Sequence, residues 1–191
     1  MSNVYKLTLT RRTVDDPDLG VSGVLKGVQE KMGMVPAMYA GMVNFPPLLE
    51  SYLGGYDSFR GSSGFTPAEQ EIVFLTISRL HECRYCMAAH SFVADVMSKV
   101  PPEVTDAIRN DQPIADEKFE ALRQFTRIMT ESRGSPTREQ GQAFLDAGYT
   151  EAHMLAIILA ISVKVISNYS NHLFHTEVDA GFSARAWSPP A

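Results

Sequence analysis

The spacing of apolar residues predicts helices along most of the chain. Apolar side chains recur every three or four residues from Val21 to Met32, where Gly33 ends the stripe, as in a helix with one buried face. A short helix is predicted over residues 37–43, and a third helix begins at Pro46 and is broken by the Gly61–Gly64 segment. Residues 1–20 mix β-branched residues with Asp, Pro and Gly, which predicts an extended N-terminal arm.

The clearest helix start along the chain lies at Thr66. Thr66 can cap the helix, Pro67 suits its first position, and Glu69 completes a capping box. The helix that follows should run to about Leu80, and it carries Glu71.

A second helix is expected to begin near Cys83 and to end near Lys99, because two prolines follow it. These two helices form the CxxC helix pair over residues 66–99. Further helices are predicted over residues 104–108, 117–131, 136–148 and 150–175, and the last is apolar on nearly every side through its centre. The pattern predicts an all-α fold of about eight or nine helices. Residues 21–191 should form a single domain, because no Gly-, Ser- or Pro-rich linker divides them.

Composition and charge narrow the classes of function. The 191 residues carry a net charge of -5 without any run of Lys or Arg, which argues against nucleic acid or an anionic membrane as the main partner. The N-terminus lacks the apolar segment of a secretory signal, and the longest apolar run is about half the roughly 20 residues of a membrane span. We therefore expect a cytoplasmic protein with no membrane partner.

The chain's two cysteines lie in one short segment, as Cys83 and Cys86, and His90 follows. On a helix these three side chains share one face, and the two cysteines fall within the distance that a disulfide accepts. In a reducing cytoplasm such a pair is typical of redox or metal chemistry. A thiol at a helix N-terminus also favours the thiolate form. Glu71 would face the same site if the two helices pack antiparallel, where it could exchange protons with His90.

Two other interpretations of the cysteines remain open at this point. They can be small buried side chains. They can also bind a metal together with His90 and either Glu71 or His81, although zinc sites usually recruit a second, distant pair. The redox interpretation predicts neither a metal nor a bound cofactor. Outside the motif, His81 is expected in a solvated loop, and the remaining histidines are expected to be capping or interface residues: His153, His172 and His175.

The motif formed by Glu71, eleven residues, Cys83-x-x-Cys86, three residues and His90 resembles that of the AhpD-like alkylhydroperoxidases, within the carboxymuconolactone decarboxylase superfamily. Residues 32–52 resemble the peroxidase-related branch of that superfamily, as does the end of the last helix over residues 168–172. Some members carry a second histidine between the cysteines, where this chain has Tyr85.

The resemblance implies an all-helical protein that forms a homo-oligomer, commonly a trimer or hexamer, and that reduces organic hydroperoxides. In the implied cycle Cys86 attacks the peroxide, and Cys83 supplies a proton and then forms the disulfide. His90 and Glu71 relay protons. The implied partners are a small-molecule hydroperoxide and a dithiol reductant of the lipoyl or thioredoxin type, and no cofactor is required.

Two rival functions also remain. The chain could act as a carboxymuconolactone-type decarboxylase, although such members generally lack the CxxC pair. It could also act as a non-catalytic redox sensor, an oligomeric scaffold in which the disulfide changes subunit contacts.

Overall fold

The computed structural model describes residues 4–189, and within that range the chain forms nine α-helices and no strand. The helices are α1 (Leu19–Met32), α2 (Ala37–Met42), α3 (Pro46–Ser62), α4 (Pro67–Leu80), α5 (Arg84–Phe92), α6 (Pro102–Arg109), α7 (Glu117–Glu131), α8 (Arg138–Asp146) and α9 (Glu151–Phe174). The predicted all-α fold and the predicted number of helices are confirmed.

Helix α4 is the centre of the fold. Thr66 and Glu69 form the predicted capping box, in which the Thr66 side chain accepts from the Glu69 amide and Glu69 accepts from the Thr66 amide. Every residue of α4 from Glu69 to Ser78 is buried, because α5, α6, α7 and α9 all pack against this helix. Glu71, in the second turn of α4, therefore lies inside the core and not at the surface.

The helix that carries the cysteines is shorter than predicted. Cys83 is the N-cap with extended backbone, α5 follows, and a single π turn over Val93–Met97 replaces the rest of the predicted helix up to Ser98. A π turn adds one residue to the helical repeat, which is a feature that apolar spacing does not reveal. Val93, where the π turn starts, contributes to the wall of the cavity described below.

The N-terminal arm lies across helices of its own chain. The Leu7 amide donates to the Leu173 carbonyl at 2.9 Å, and the Arg12 amide donates to the Ala40 carbonyl at 2.8 Å. Helix α1 begins slightly earlier than predicted, at Leu19, because the Asp18 side chain caps it. Residues 1–3 of the predicted arm lie outside the described residues.

The C-terminal segment, over residues 176–187, crosses the outside of α5 and was not predicted to have structure. It includes a 3₁₀ turn over Ala180–Arg185. Phe182 packs against Tyr85 and Phe92, and Arg185 forms ion pairs with Asp95 and Asp106 at 2.9 and 2.8 Å. This strap covers the beginning of the cysteine helix.

Helix α9 is long and apolar enough, by length and composition, to cross a membrane. The central helix of a folded core meets the same criterion, and α9 packs against α2, α3, α4, α5 and α7. The prediction that α9 is apolar on nearly every side is wrong for its inner face. That face carries a row of buried polar side chains: Lys164, Ser167, Asn168 and Asn171.

Candidate active site

The two cysteines lie where α5 begins, against the polar row of α9. Both are free thiols, and only 1% of Cys83 and 2% of Cys86 is exposed. Asn171 Nδ2 lies 3.4 Å from Cys86 Sγ and 3.7 Å from Cys83 Sγ, so that one amide donates toward both sulfurs. Ser167 Oγ lies 3.9 Å from Cys86 Sγ. The Asn171 amide and the Ser167 hydroxyl thus fix the positions of the sulfur atoms.

The surroundings of the two thiols shift their pKa values in opposite directions. Burial alone raises the pKa of Cys86, but the Cys83 thiol, the Lys164 charge, His90 and Ser167 together bring that pKa well below its ordinary value. The pKa of Cys83 is raised well above its ordinary value, because the Cys83 thiol donates a hydrogen bond to the sulfur of Cys86 and is itself buried. Of the two thiols, Cys86 is therefore the more acidic and Cys83 the less acidic.

His90 connects the thiol pair to a buried carboxylate. His90 Nδ1 lies 2.9 Å from one oxygen of Glu71, and the other oxygen of Glu71 accepts from the Arg60 guanidinium. Arg60 is oriented in turn by the Tyr56 hydroxyl at 2.7 Å and by Gln70 at 3.0 Å. The result is a continuous chain from α3 through α4 to α5.

The charges along this chain follow from its contacts. Burial raises the pKa of Glu71, but His90 and Arg60 outweigh that effect and the pKa is lowered. The pKa of His90 is lowered by burial and by the Lys164 charge, which outweigh the influence of Glu71. Glu71 is therefore a carboxylate and His90 is neutral, with its Nδ1 proton donated to Glu71. Nε2 is the ring atom that can accept a proton.

Cys86 and His90 both line a cavity of about 460 Å³ between α1, α2, α3 and α5. Most of its wall is apolar or aromatic: Val24, Val28, Met38, Tyr39, Tyr52, Leu53, Tyr56, Ala89, Val93 and Phe182. A cavity of this size and lining suits a small organic molecule. Tyr85 also lines it, but the Tyr85 hydroxyl donates to Asp179 at 2.6 Å, so the strap holds this ring in place.

Cys83 lines a different space, a groove of about 610 Å³ on the other side of the cysteine helix. Its walls are more polar and include His81, Arg84, Asn171, His172, His175 and Glu177. Cys86 is not among the residues that line the groove, and Cys83 is not among those that line the cavity. Each thiol thus lies beside its own approach route, and Tyr85 lies between the two.

The structure brings together the four residues singled out in the sequence, Glu71, Cys83, Cys86 and His90, and the contact that Glu71 makes within this set is the hydrogen bond to His90. The expectation for His81 is wrong: His81 is half-buried and bonds to Asn168 at 2.9 Å. Burial lowers the pKa of His81 despite that bond. Within residues 4–189 no group of three or more His, Cys, Asp or Glu side chains is placed to hold a metal ion, so the metal interpretation gains no support.

Sequence reasoning missed the residues that surround the motif: Arg60, Lys164, Ser167 and Asn171. The three on α9 had a signal, because polar residues spaced three or four apart inside an apolar helix lie on one face. Arg60 carried no comparable signal, since its partner Glu71 lies on another helix.

No family model matches the sequence, and no curated protein matches it. Several solved structures do match. A peroxidase-related protein from Silicibacter sp. TM1040 is 19% identical, covers 96% of each chain and has a TM-score of 0.76. An alkylhydroperoxidase AhpD core protein from Ralstonia eutropha JMP134 is 16% identical, covers 100% of each chain and has a TM-score of 0.80. Both of these proteins are described as uncharacterized.

A third similar structure is that of the debrominase Bmp8. A cysteine-to-alanine variant of Bmp8 in complex with 2,3,4-tribromopyrrole is 18% identical, with 97% of this chain and 96% of that chain covered and a TM-score of 0.70. At these identities the similarity concerns the fold and not the reaction. The chain thus has the all-helical fold of the AhpD-like, peroxidase-related proteins.

Proposed function

We propose that this protein is a thiol-dependent peroxidase that reduces organic hydroperoxides through Cys83 and Cys86. The observation that carries the proposal is the position of the Cys86 thiolate, which lies on an apolar cavity beside a neutral His90, with a protonated thiol next to it. A nucleophile, a proton donor and a resolving thiol are the groups that such a reduction needs.

The first step is attack of the Cys86 thiolate on the terminal oxygen of the hydroperoxide. A sulfur–oxygen bond forms, the oxygen–oxygen bond breaks, and the alkoxide that leaves takes the proton of Cys83. The Cys83 thiolate then attacks the sulfenic acid on Cys86, and the disulfide forms. The hydroxide that leaves Cys86 takes a proton from solvent, relayed through Nε2 of His90 with Glu71 supporting the ring, and this proton replaces the one that Cys86 released to solvent on ionising. The sum is one hydroperoxide and two thiols to one alcohol, one water and one disulfide.

A dithiol of the lipoyl or thioredoxin type would then reduce the disulfide. The groove beside Cys83 offers a route to that sulfur that does not pass through the peroxide cavity. A cycle of this kind needs a reducing compartment, so we propose a cytoplasmic location. No cofactor takes part in the cycle.

The test is consumption of cumene hydroperoxide by the reduced protein with a dithiol donor. We expect turnover in the wild type and none in Cys86→Ser. Cys83→Ser should complete a single attack and stop at a sulfenic acid, which dimedone traps on Cys86. Trapping on Cys83 in the wild type would reverse the assigned roles.

The rival functions give different results in the same experiment. A redox sensor would form the disulfide and change its oligomeric state without turnover. A carboxymuconolactone-type decarboxylase would release carbon dioxide from a lactone acid, and the Cys86→Ser variant would keep that activity. Turnover of peroxide that survives Cys86→Ser would refute the proposal.

Reductive dehalogenation of an aromatic ring is a second candidate, favoured by the aromatic wall around Cys86. The thiolate would take the halogen, the ring would gain a proton, and Cys83 would displace halide as the disulfide forms. The sum is one aryl halide and two thiols to one arene, one hydrogen halide and one disulfide. Release of bromide from a brominated pyrrole, with no peroxide consumption, would favour this reaction.

A further inference from the structure

Lys164 is a buried cation that has no role in the proposed cycle. Its side chain is fully buried in the middle of α9, and its Nζ has no hydrogen-bond partner among residues 4–189. No carboxylate in the described part of the chain lies within ion-pair distance of it. An ammonium group removed from water without a counter-charge is strongly unfavourable. Its position therefore requires an explanation in terms of a nearby negative charge.

The aromatic neighbour of Lys164 does not supply that charge. Lys164 Nζ lies 5.4 Å from the centre of the Phe74 ring. The same ring also packs against His90, and the two ring centres are 4.9 Å apart. A cation–π contact contributes about 0.5–2 kcal/mol, well below the several kcal/mol of desolvating an ion.

The helical repeat directs Lys164 toward the thiol pair. Lys164, Ser167 and Asn171 lie on one face of α9, and the last two contact the sulfur atoms directly. Lys164 is one turn before Ser167, on the side where the Glu71 and His90 chain ends. The group in this region that can become an anion without a cation of its own is the Cys86 thiol, since Glu71 is already paired with Arg60.

We propose that Lys164 is the positioning residue that makes Cys86 the attacking thiol, by acting as the buried counter-cation of its thiolate. The proposal rests on the role of Cys86 given above. The titratable groups that face Cys86 are Tyr39 on α2, Tyr52 on α3, His81 after α4, Cys83, Tyr85 and His90 around α5, and Lys164 on α9. Lys164 is the single lysine or arginine in this set; Lys31 on α1 and Asp57 on α3 also line the cavity, but both are exposed to solvent.

The test measures the ionisation of Cys86 without using peroxide. The rate of alkylation of Cys86 by iodoacetamide is followed against pH by mass spectrometry in the wild type, Lys164→Met and Lys164→Arg. We expect Lys164→Met to raise the midpoint by about 1–3 pH units, the size of effect that a nearby opposite charge has on a thiol. Alkylation at pH 7 should fall at least about tenfold. Lys164→Arg should restore most of the wild-type rate, and Lys26→Met, on the exposed side of α1, should not change the midpoint.

An unchanged midpoint in folded Lys164→Met would overturn the proposal, even if the protein reduces peroxide. A raised midpoint would support it, even if no peroxide is consumed. If Lys164→Met does not fold, Cys86→Ala and Cys86→Ala/Lys164→Met provide the answer. Cys86→Ala leaves the cation without its anion, so adding Lys164→Met should raise the melting temperature of that variant. A double variant that is less stable than Cys86→Ala, or unfolded, would show that Lys164 is only structural and would overturn the proposal.

Discussion

Glu71 is the residue on which the proton chain of the site depends, because each of its oxygens has a different partner. One oxygen accepts from His90 and the other from Arg60, and the carboxylate is entirely buried. Arg60 keeps Glu71 ionised, and ionised Glu71 fixes the His90 proton on Nδ1. The tautomer of His90 is thus determined by a residue two helices away.

The substitution Glu71→Gln should impair both stability and rate. It leaves the mostly buried Arg60 without its carboxylate, and loss of one member of a buried ion pair costs about 3–5 kcal/mol. It also removes the acceptor that holds the His90 tautomer, so kcat should fall about 100-fold, the lower end of the range for general acid–base groups. Chemical denaturation and steady-state kinetics measure the two effects. Glu50→Gln, at an exposed site of α3, is the control, and wild-type kinetics in Glu71→Gln would exclude the relay.

The lowered pKa of His90 makes a second prediction, for stability against pH. The folded protein binds fewer protons than the unfolded chain between the folded pKa of His90 and its ordinary value of 6.5. The free energy of unfolding should therefore decrease as pH falls below about 6.5, and that decrease should end once the folded pKa is passed.

His90→Gln should remove part of this pH dependence. Denaturation curves between pH 7.5 and pH 5 on both proteins, a range set by the ordinary histidine pKa of about 6.5, measure the slope. His81 contributes a slope of the same sign, because its pKa is also lowered, so the slope should be reduced and not abolished. Identical slopes in the two proteins would show that His90 is not buried in its neutral form.

At the scale of helices, features set by neighbouring residues could be predicted from the sequence, and features set by contacts between distant segments could not. The capping box at Thr66 and the start of α9 at Thr150 depend on neighbours in sequence, and the structure contains them. The predicted common face is present for Cys86 and His90, which line the cavity, but Cys83 is the N-cap and lines the groove on the other side of α5. The π turn after Phe92 and the 3₁₀ turn over Ala180–Arg185 depend on packing between distant segments. The spacing of apolar residues along the chain does not predict such packing.

The strap over α5 gives a prediction at this scale. Tyr85→Phe removes the hydroxyl that donates to Asp179 at 2.6 Å, while the Ala37 amide continues to donate to Asp179 at 3.2 Å. A hydrogen bond to a charged group contributes about 1.5–3 kcal/mol, so the free energy of unfolding should fall by about that amount. Because Tyr85 lies between the cavity and the groove, both cysteines should also be alkylated faster. Tyr5→Phe, on the exposed arm, should change neither quantity, and an alkylation rate unchanged in Tyr85→Phe would show that the strap does not restrict access.

At the scale of the whole molecule, the two faces of α9 differ in burial and polarity. Its inner face holds the polar row beside the thiols, and its outer face exposes large apolar side chains: Leu155, Ile158, Tyr169 and Leu173. Their spacing of three, eleven and four residues keeps them within one broad stripe of the helix. A stripe of this kind on a folded protein is typical of an interaction surface.

We expect this stripe to be the contact between copies of the chain in the predicted trimer or hexamer. Leu155 is 69% exposed and Ile158 is 50% exposed, one helical turn apart, so burying what remains exposed would stabilise an assembly by roughly 1–2 kcal/mol for each side chain. Ile158→Glu would place a charge in that contact and should convert the oligomer to monomers in analytical ultracentrifugation. Met97→Glu adds the same charge at a 70% exposed site on the π turn and should leave the oligomer intact.

A wild-type protein that sediments as a monomer and binds lipid vesicles through α9 would contradict the expectation, and would assign the apolar face to a membrane. Because the inner face of the same helix contacts Cys86, loss of the oligomer in Ile158→Glu should also raise the alkylation rate of the thiols if assembly supports the site.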